Sequence, residues 1–394
     1  MRRLLIPAVC VFAGAVAFAQ QPPPAAVPAV REAAAEAPRW PTASWETAPL
    51  PPDADARAVE ALLAEAFESP PGPLGETRAL VVIQGGRLVL ERYAEGYGPE
   101  TKLVSWSVAK SITQALVGAA ALAGKLDPDA PMGSPHFRRN HPLNALSWRD
   151  WLQMVDGQSY TEIGAKSIVT NDAARKLFGP GAQDVARFCA GLPVIRPPRQ
   201  VWNYNSCGIV LTADALTRAV APAAETPAQR RAAMHRWMQE ALFGPLGMRS
   251  ATAEFDPQGL FYGSALIYAS ARDFAKFGQL YLRDGVWDGR RLLPEGWVAF
   301  ARTPGPGANT DTYGAGWWLA PKQGRGKLLP YVLEDGPRDA FSAQGFEGQF
   351  ILVVPSKDLV VVRLGLTRDT ANPTLRRWMG GLVGAFADRS AEQS

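Results

Sequence analysis

The chain has 394 residues, 47% hydrophobic and 20% charged, the make-up of an ordinary globular protein with room for one large domain or two. Its formal charge of +4 is small for that length, and no basic run interleaved with aromatics marks a nucleic-acid partner. Beyond the first nineteen residues no apolar run is long enough to span a membrane, so no stable membrane insertion is expected once that segment is removed.

Those nineteen residues read as a secretory signal. Arg2 and Arg3 form the charged start, Leu4 to Val16 the apolar middle, and Ala17-Phe18-Ala19 a small-x-small cleavage site. Cleavage near Ala19 predicts a periplasmic or secreted protein. Cys10 lacks the small-residue context of a lipid-anchor site. Residues 20–53 are rich in Pro and Ala without periodicity and read as a leader outside the core. Val59, Leu62, Leu63, Ala66 and Phe67 have the spacing of an amphipathic helix. Ala79–Ile83 and Leu88–Tyr93, joined at Gly85-Gly86, predict two strands. An apolar helix then begins at Ser107 and ends near Gly124. Residues 126–301 are mostly helix and loop, with helical periodicity at 148–154, 184–190, 209–220, 226–243 and 271–284. Gln349–Val354 and Leu359–Leu364 form a strong hairpin signal, and Pro373–Asp388 reads as a closing helix. Strands at both ends with helices between predict one α/β sheet assembled from residues 54–104 and 311–390. Residues 105–310 are then a mostly helical part carrying the Ser107 helix.

Ser107-x-x-Lys110 places an amine one turn from a hydroxyl, on the same helix face. Serine is a poor nucleophile until a base takes its proton, and a lysine with a lowered pKa can do so. The plain alternative is a capping serine followed by a solvated lysine. The three histidines, His136, His141 and His235, lie in no Gly-x-Ser-x-Gly context and have no metal-ligand spacing. A Ser-His-Asp triad and a zinc hydrolase are therefore poorly supported, and no metal or cofactor is called for. Tyr204, in the loop Val201–Ser206, is a candidate phenolate or proton shuttle; a tyrosine packed beside a helix cap is the bland alternative. Cys189 and Cys207, eighteen residues apart, fit a bridge or two buried thiols equally well.

Ser107-Val-Ala-Lys110 followed by Tyr204-Asn205-Ser206 resembles the first two motifs of the serine β-lactamase-related superfamily. Trp148–Gly157, Gly244-Pro-Leu-Gly-Met248, Ala271–Gly278 and Gly345-Phe-Glu-Gly-Gln349 resemble further segments of that group, in the same order. The likeness is nearest to class C β-lactamase-like esterases and 6-aminohexanoate-dimer hydrolases. It implies an antiparallel sheet flanked by helices with an inserted all-helical domain. It also implies Ser107 as the acylated nucleophile, Lys110 as its base, Tyr204 as proton shuttle and Ser206 in a substrate-binding position. An oxyanion hole would combine the Ser107 N–H with a donor from Gln344, Gly345 or Phe346.

The departures bear on the substrate. Members that act on β-lactams usually carry a Lys-Thr-Gly-like triplet before the final hairpin, where this chain has Phe341-Ser-Ala-Gln-Gly345. Lys322 lies too early to replace it. A substrate carboxylate would lose a charge-assisted partner worth about 1.5–3 kcal/mol. Small-molecule esters and amides with uncharged tails are thus expected, with a β-lactamase or D-Ala-D-Ala carboxypeptidase as the same-fold alternative and a silent binding protein as the alternative from another class. Tyr160 and Trp317, with Trp318, are candidate pocket walls.

Overall fold

Valine- and isoleucine-rich runs at both ends of the chain meet in one antiparallel sheet. The computed structural model describes residues 40–320, 333, 336–368 and 373–389. The secretory segment, the leader up to residue 39 and Lys322 lie outside the described residues. The strands are β1 (Glu76–Gln84), β2 (Arg87–Tyr93), β3 (Trp318–Leu319), β4 (Phe341–Gly345), β5 (Gln349–Val354) and β6 (Leu359–Leu366). Their order in the sheet is β2-β1-β6-β5-β4-β3. Val81 pairs with Val362 and Val82 with Val361, so the two chain ends share the sheet centre. Ala79–Ile83 and Leu359–Val362 are buried throughout, because the sheet is covered on both faces.

Alternate strand residues point to opposite faces. The helix Ala271–Leu282 lies on the face of Val360 and Ile351, so close that a Cβ on Gly278 would meet both within 3 Å. It falls within 105–310 yet packs on the sheet, because Phe274, Phe277 and Tyr281 form an apolar stripe that only the sheet can cover. The opposite face carries Arg363. There α1 (Ala56–Ala66), capped by Asp55, meets the closing helix Pro373–Gly384 through Trp378 Nε1, which donates to Leu62 O at 3.0 Å. The α/β class with helices flanking an antiparallel sheet is as expected.

The end of the Pro/Ala-rich stretch is not a free linker. Leu88 N donates to Glu46 O and Ala48 N to Leu88 O, so residues 46–48 continue the sheet edge. Trp45 donates to Arg272 O at 3.0 Å, and Trp40 packs on Trp287. Two tryptophans bury too much apolar surface to leave this segment solvated.

Two of the family-like segments act as clamps. Lys276 Nζ donates to Gly247 O at 2.6 Å and to Asp273 at 3.0 Å, while Asp273 accepts from Ser250 N and Oγ. Cys189 and Cys207 are disulfide-bonded, which settles the pairing left open above. Among the described residues no helix is long and apolar enough to cross a membrane.

Candidate active site

Ser107 sits on a 3₁₀ turn, Trp106–Val108, that runs directly into α2 (Ala109–Leu122). The turn begins with Trp106 at φ 44°, a left-handed conformation that side-chain-bearing residues rarely adopt. Lys110 is 1% exposed, so it is not a solvated lysine. Its Nζ lies 2.6 Å from Ser107 Oγ and donates to Ser264 O at 3.1 Å. Burial draws the amine down to about 8, against the pull of Glu162. The neighbouring hydroxyls are committed elsewhere. Ser105 donates to Trp106 O and accepts from Ile267 N, and Ser111 donates to Gly316 O. Both are fully buried, whereas Ser107 is partly exposed.

Tyr204 is placed by the cap of the helix that follows it. Asn205 accepts from Cys207 N and Gly208 N at the start of α6 (Ser206–Val220) and donates to Asp156 at 2.9 Å. Burial raises the Asp156 carboxyl to about 6. The loop before Tyr204 is pinned by Arg199, whose two nitrogens hold both oxygens of Asp150 at 2.9 and 2.7 Å. Asp150 is itself fixed in the Ser147 capping box of α3 (Trp148–Leu152). Lys110 Nζ lies 4.8 Å from the Tyr204 ring centroid. Burial first, then Tyr313 and the charge of Glu162, hold this phenol well above its ordinary value. That environment favours the neutral phenol over the phenolate.

Ser206 Oγ donates to Glu162 Oε2 at 2.5 Å, and Tyr160 OH donates to the same oxygen at 2.9 Å. Tyr160 is thus a buried partner of a carboxylate in the site wall. Desolvation pushes the Glu162 carboxyl up, but Lys110, Lys176 and the hydrogen bonds from Ser206 and Tyr160 together hold it below its usual value. Lys176, from α4 (Asp172–Phe178), donates to Ser264 Oγ at 2.6 Å. Sequence reasoning missed Glu162 and Lys176. Glu162 stood two residues from the flagged Tyr160, but Lys176 follows an ordinary Asn171 cap with no motif around it.

On the other side of Ser107, Gly345 ends β4 against the Trp106–Val108 turn. A Cβ on Gly345 would come 2.2 Å from Ser105 O. The Gln344–Phe346 backbone therefore runs beside the turn, and Phe346 packs edge-on against Trp106 at 5.7 Å. Gln344 donates to Ser342 Oγ at 2.8 Å. The following bend is held by Arg363, which donates to Gly348 O, Glu347 O, Glu76 O and Leu74 O. Burial without a carboxylate at contact draws Arg363 down to about 9.

Trp317 does not belong in the pocket wall. It is fully buried among Phe277, Tyr281 and Phe341, beneath the site. The next residue faces the other way, as alternation along extended chain requires. Trp318 stacks on Tyr204 at 5.5 Å and meets Tyr313 and Trp202, forming the aromatic wall.

A serine on a tight turn, a buried lysine and a capped tyrosine loop on this sheet are those of a serine hydrolase of the β-lactamase/transpeptidase fold. The Beta-lactamase family model matches residues 76–379, and the chain belongs to that family. It is 24% identical over 331 residues to the 6-aminohexanoate-dimer hydrolase of Paenarthrobacter ureafaciens, covering 80% of this chain and 78% of that one. Its fold is shared with a candidate 6-aminohexanoate-dimer hydrolase from Bacillus anthracis, at TM-score 0.63, 21% identity and coverage of 87% and 85%. It is shared also with a family VIII carboxylesterase, at TM-score 0.53, 13% identity and coverage of 84% and 98%.

Proposed function

We propose that this protein is an exported hydrolase that cleaves small carboxylic esters or amides through an acyl-enzyme on Ser107. The observation that carries the reading is the buried Lys110 Nζ, 2.6 Å from one accessible hydroxyl, with the ring of Tyr204 4.8 Å from the same amine. Neutral Lys110 takes the Ser107 proton as Oγ attacks the carbonyl carbon. The Ser107 N–H and a backbone donor near Gly345 receive the developing oxyanion. The Tyr204 phenol gives its proton to the leaving alkoxide or amine as that bond breaks, and the Lys110 ammonium restores it. Water then attacks the acyl carbonyl as its proton passes, through the Tyr204 phenol, to neutral Lys110, and the Lys110 ammonium returns that proton to Ser107 Oγ as the acyl–Oγ bond breaks.

The acyl side is read as uncharged. No Lys, Arg or His lies between Phe341 and Gln349, and Glu347 adds a negative charge beside Trp106. The aromatic wall of Trp318, Tyr204 and Tyr313 suits an apolar group. The resemblance to a 6-aminohexanoate-dimer hydrolase supports amides beside esters. Export is supported by the signal-like start and by a disulfide, which persists in oxidising compartments.

Steady-state kinetics on p-nitrophenyl butyrate and on nitrocefin test the substrate reading. The ester is expected to have the higher kcat/KM by about one to two powers of ten. A nitrocefin value equal to or above the ester value would establish the β-lactamase or D,D-peptidase alternative. Failure of fluorophosphonates and esters alike to label the protein would leave a silent binding protein.

A further inference from the structure

Residues 161–172 form a closed loop whose apolar side chains have no cover. Its neck is pinned by a reciprocal pair: Thr161 N donates to Asp172 Oδ2 at 2.9 Å, and Asp172 N donates to Thr161 O at 2.8 Å. The first residue inside, Glu162, turns inward and accepts from Ser206 and Tyr160 in the site wall. The other end is fixed by α4. There Arg175 pairs with Asp172 at 2.7 Å and lies over the Phe188 ring of α5 (Val185–Ala190) at 5.4 Å.

The tip is a built turn. Ser167 N donates to Thr170 Oγ1 at 3.2 Å, and Thr170 N donates to Ser167 Oγ at 3.3 Å. Between them stand Ile168 and Val169, 74% and 75% exposed. Among the described residues seven large apolar side chains are exposed, and four of them, Ile163, Ile168, Val169 and Phe178, lie in residues 163–178. Single exposed apolar residues are ordinary, but such a cluster on a loop of fixed shape marks a contact surface. The charge beside it has one sign. Lys166 is exposed between Ile163 and Ile168 and makes no ion pair among the described residues. The one carboxylate of residues 163–178, Asp172, is buried and paired.

We propose that the tip of the 161–172 loop seats this protein peripherally on an anionic lipid surface, with Ile168 and Val169 entering the edge of the acyl-chain layer and Lys166 facing the headgroups. Apolar side chains beside a cation, with no exposed carboxylate among them, are what such a surface attracts. A second copy of the chain fits less well, because a two-fold contact centred on the tip would set Lys166 against its own copy. The loop starts at Glu162 in the site wall, so docking brings the lipid to that side of the site and favours esters dissolved in it. This consequence for the substrate rests on the hydrolase reading given above; the docking itself does not.

The test is co-sedimentation of the chain from Gln20 onward, which contains every described residue, with vesicles of phosphatidylcholine alone or mixed with about one-third phosphatidylglycerol. Binding to the mixed vesicles is expected, and it weakens as salt rises. The double variant Ile168→Ser, Val169→Ser is expected to lower the partition coefficient by at least about tenfold. Lys166→Glu is expected to lower it several-fold at low salt and little at high salt. Hydrolysis of soluble p-nitrophenyl butyrate stays at the wild-type rate in all three, because these side chains stand in solvent. Four results overturn the proposal: no binding by the wild type, equal binding to the two kinds of vesicle, equal binding by the wild type and the double variant, or a dimer that the double variant dissolves. Vesicle binding without any fluorophosphonate labelling of Ser107 is a different result, which removes the hydrolase reading and upholds the docking.

Discussion

The hydroxyl of Ser206 donates to the carboxylate of Glu162 at 2.5 Å, joining the first turn of α6 to the loop before α4. This bond ties the tyrosine loop to the charge that balances the site's amines. Tyr204 lies two residues before Ser206, so one contact couples the placement of the phenol to the electrostatics around Lys110.

Acylation is expected at Ser107 and not at its neighbours. Ser105 and Ser111 are buried with their hydroxyls bonded to backbone, and only Ser107 offers an accessible oxygen to the lysine. Ser107→Ala should abolish the covalent adduct while leaving the melting temperature near that of the wild type. Peptide mapping of a fluorophosphonate adduct checks this, and an adduct on another serine would sink the assignment.

The pH dependence follows from the two depressed amines. The base must be neutral, so kcat/KM should rise through the region of about 7 to 8 and be lost below it. Tyr204 is held well above its ordinary value, so loss of its proton should not cut activity until strongly alkaline pH. The same shifts act on stability. An unfolded lysine keeps its proton up to about pH 10.4. Over the interval from about 7 to that point the unfolded chain binds more protons than the folded one, so these two groups make stability rise with pH. Urea titrations at neutral and mildly alkaline pH read the sign, and a fall attributable to these lysines would contradict their burial as amines.

Breaking the disulfide should loosen the tyrosine loop. Cys207 lies three residues after Tyr204, and the bridge closes a separation of 18 residues. In the chain-entropy model such a loop contributes about 3 kcal/mol. The Cys189→Ser, Cys207→Ser double variant should lose roughly that much by chemical denaturation and lower kcat by several-fold. Equal stability of the oxidised protein and the double variant would rule out a bracing role.

Gly345→Ala tests the close approach beside the nucleophile. The added methyl would sit 2.2 Å from Ser105 O, a backbone atom that cannot swing aside. The strand or the turn must shift, at about 1–3 kcal/mol for overpacking of this kind. Because the shift falls on the oxyanion side, kcat should drop by at least about tenfold with KM little changed. Wild-type kcat in this variant would show that the backbone near Gly345 does not receive the oxyanion.

Much of the fold was legible because its signals are local. The Val-rich runs of β1 and β6, the Gly85-Gly86 turn and the cap at Asn205 each act within a few residues. The Ser107–Lys110 pair was legible for the same reason, since one helical turn sets its distance. The tail of the leader was misread because proline and alanine dominate its composition, whereas Trp40 and Trp45 dominate its buried contacts. Trp317 was misplaced because adjacent aromatics look alike in one dimension, although extended chain sends them to opposite sides.

What the amino-acid order determined by itself was the class of sheet and the close pairing of Ser107 with Lys110, since these rest on periodicity and short spacing. What only the tertiary structure decided was the charge balance around that base. Lys110, Glu162, Lys176, Ser206 and Ser264 come from five separate stretches, and no spacing rule relates them. Their protonation depends on burial and on distances across the fold. The disulfide, too, was decided in three dimensions, when the packing of α5 on α6 brought the Cα atoms of Cys189 and Cys207 to 5.0 Å. Electrostatics among buried groups is a property of the assembled site, and the chain acquires it only on folding.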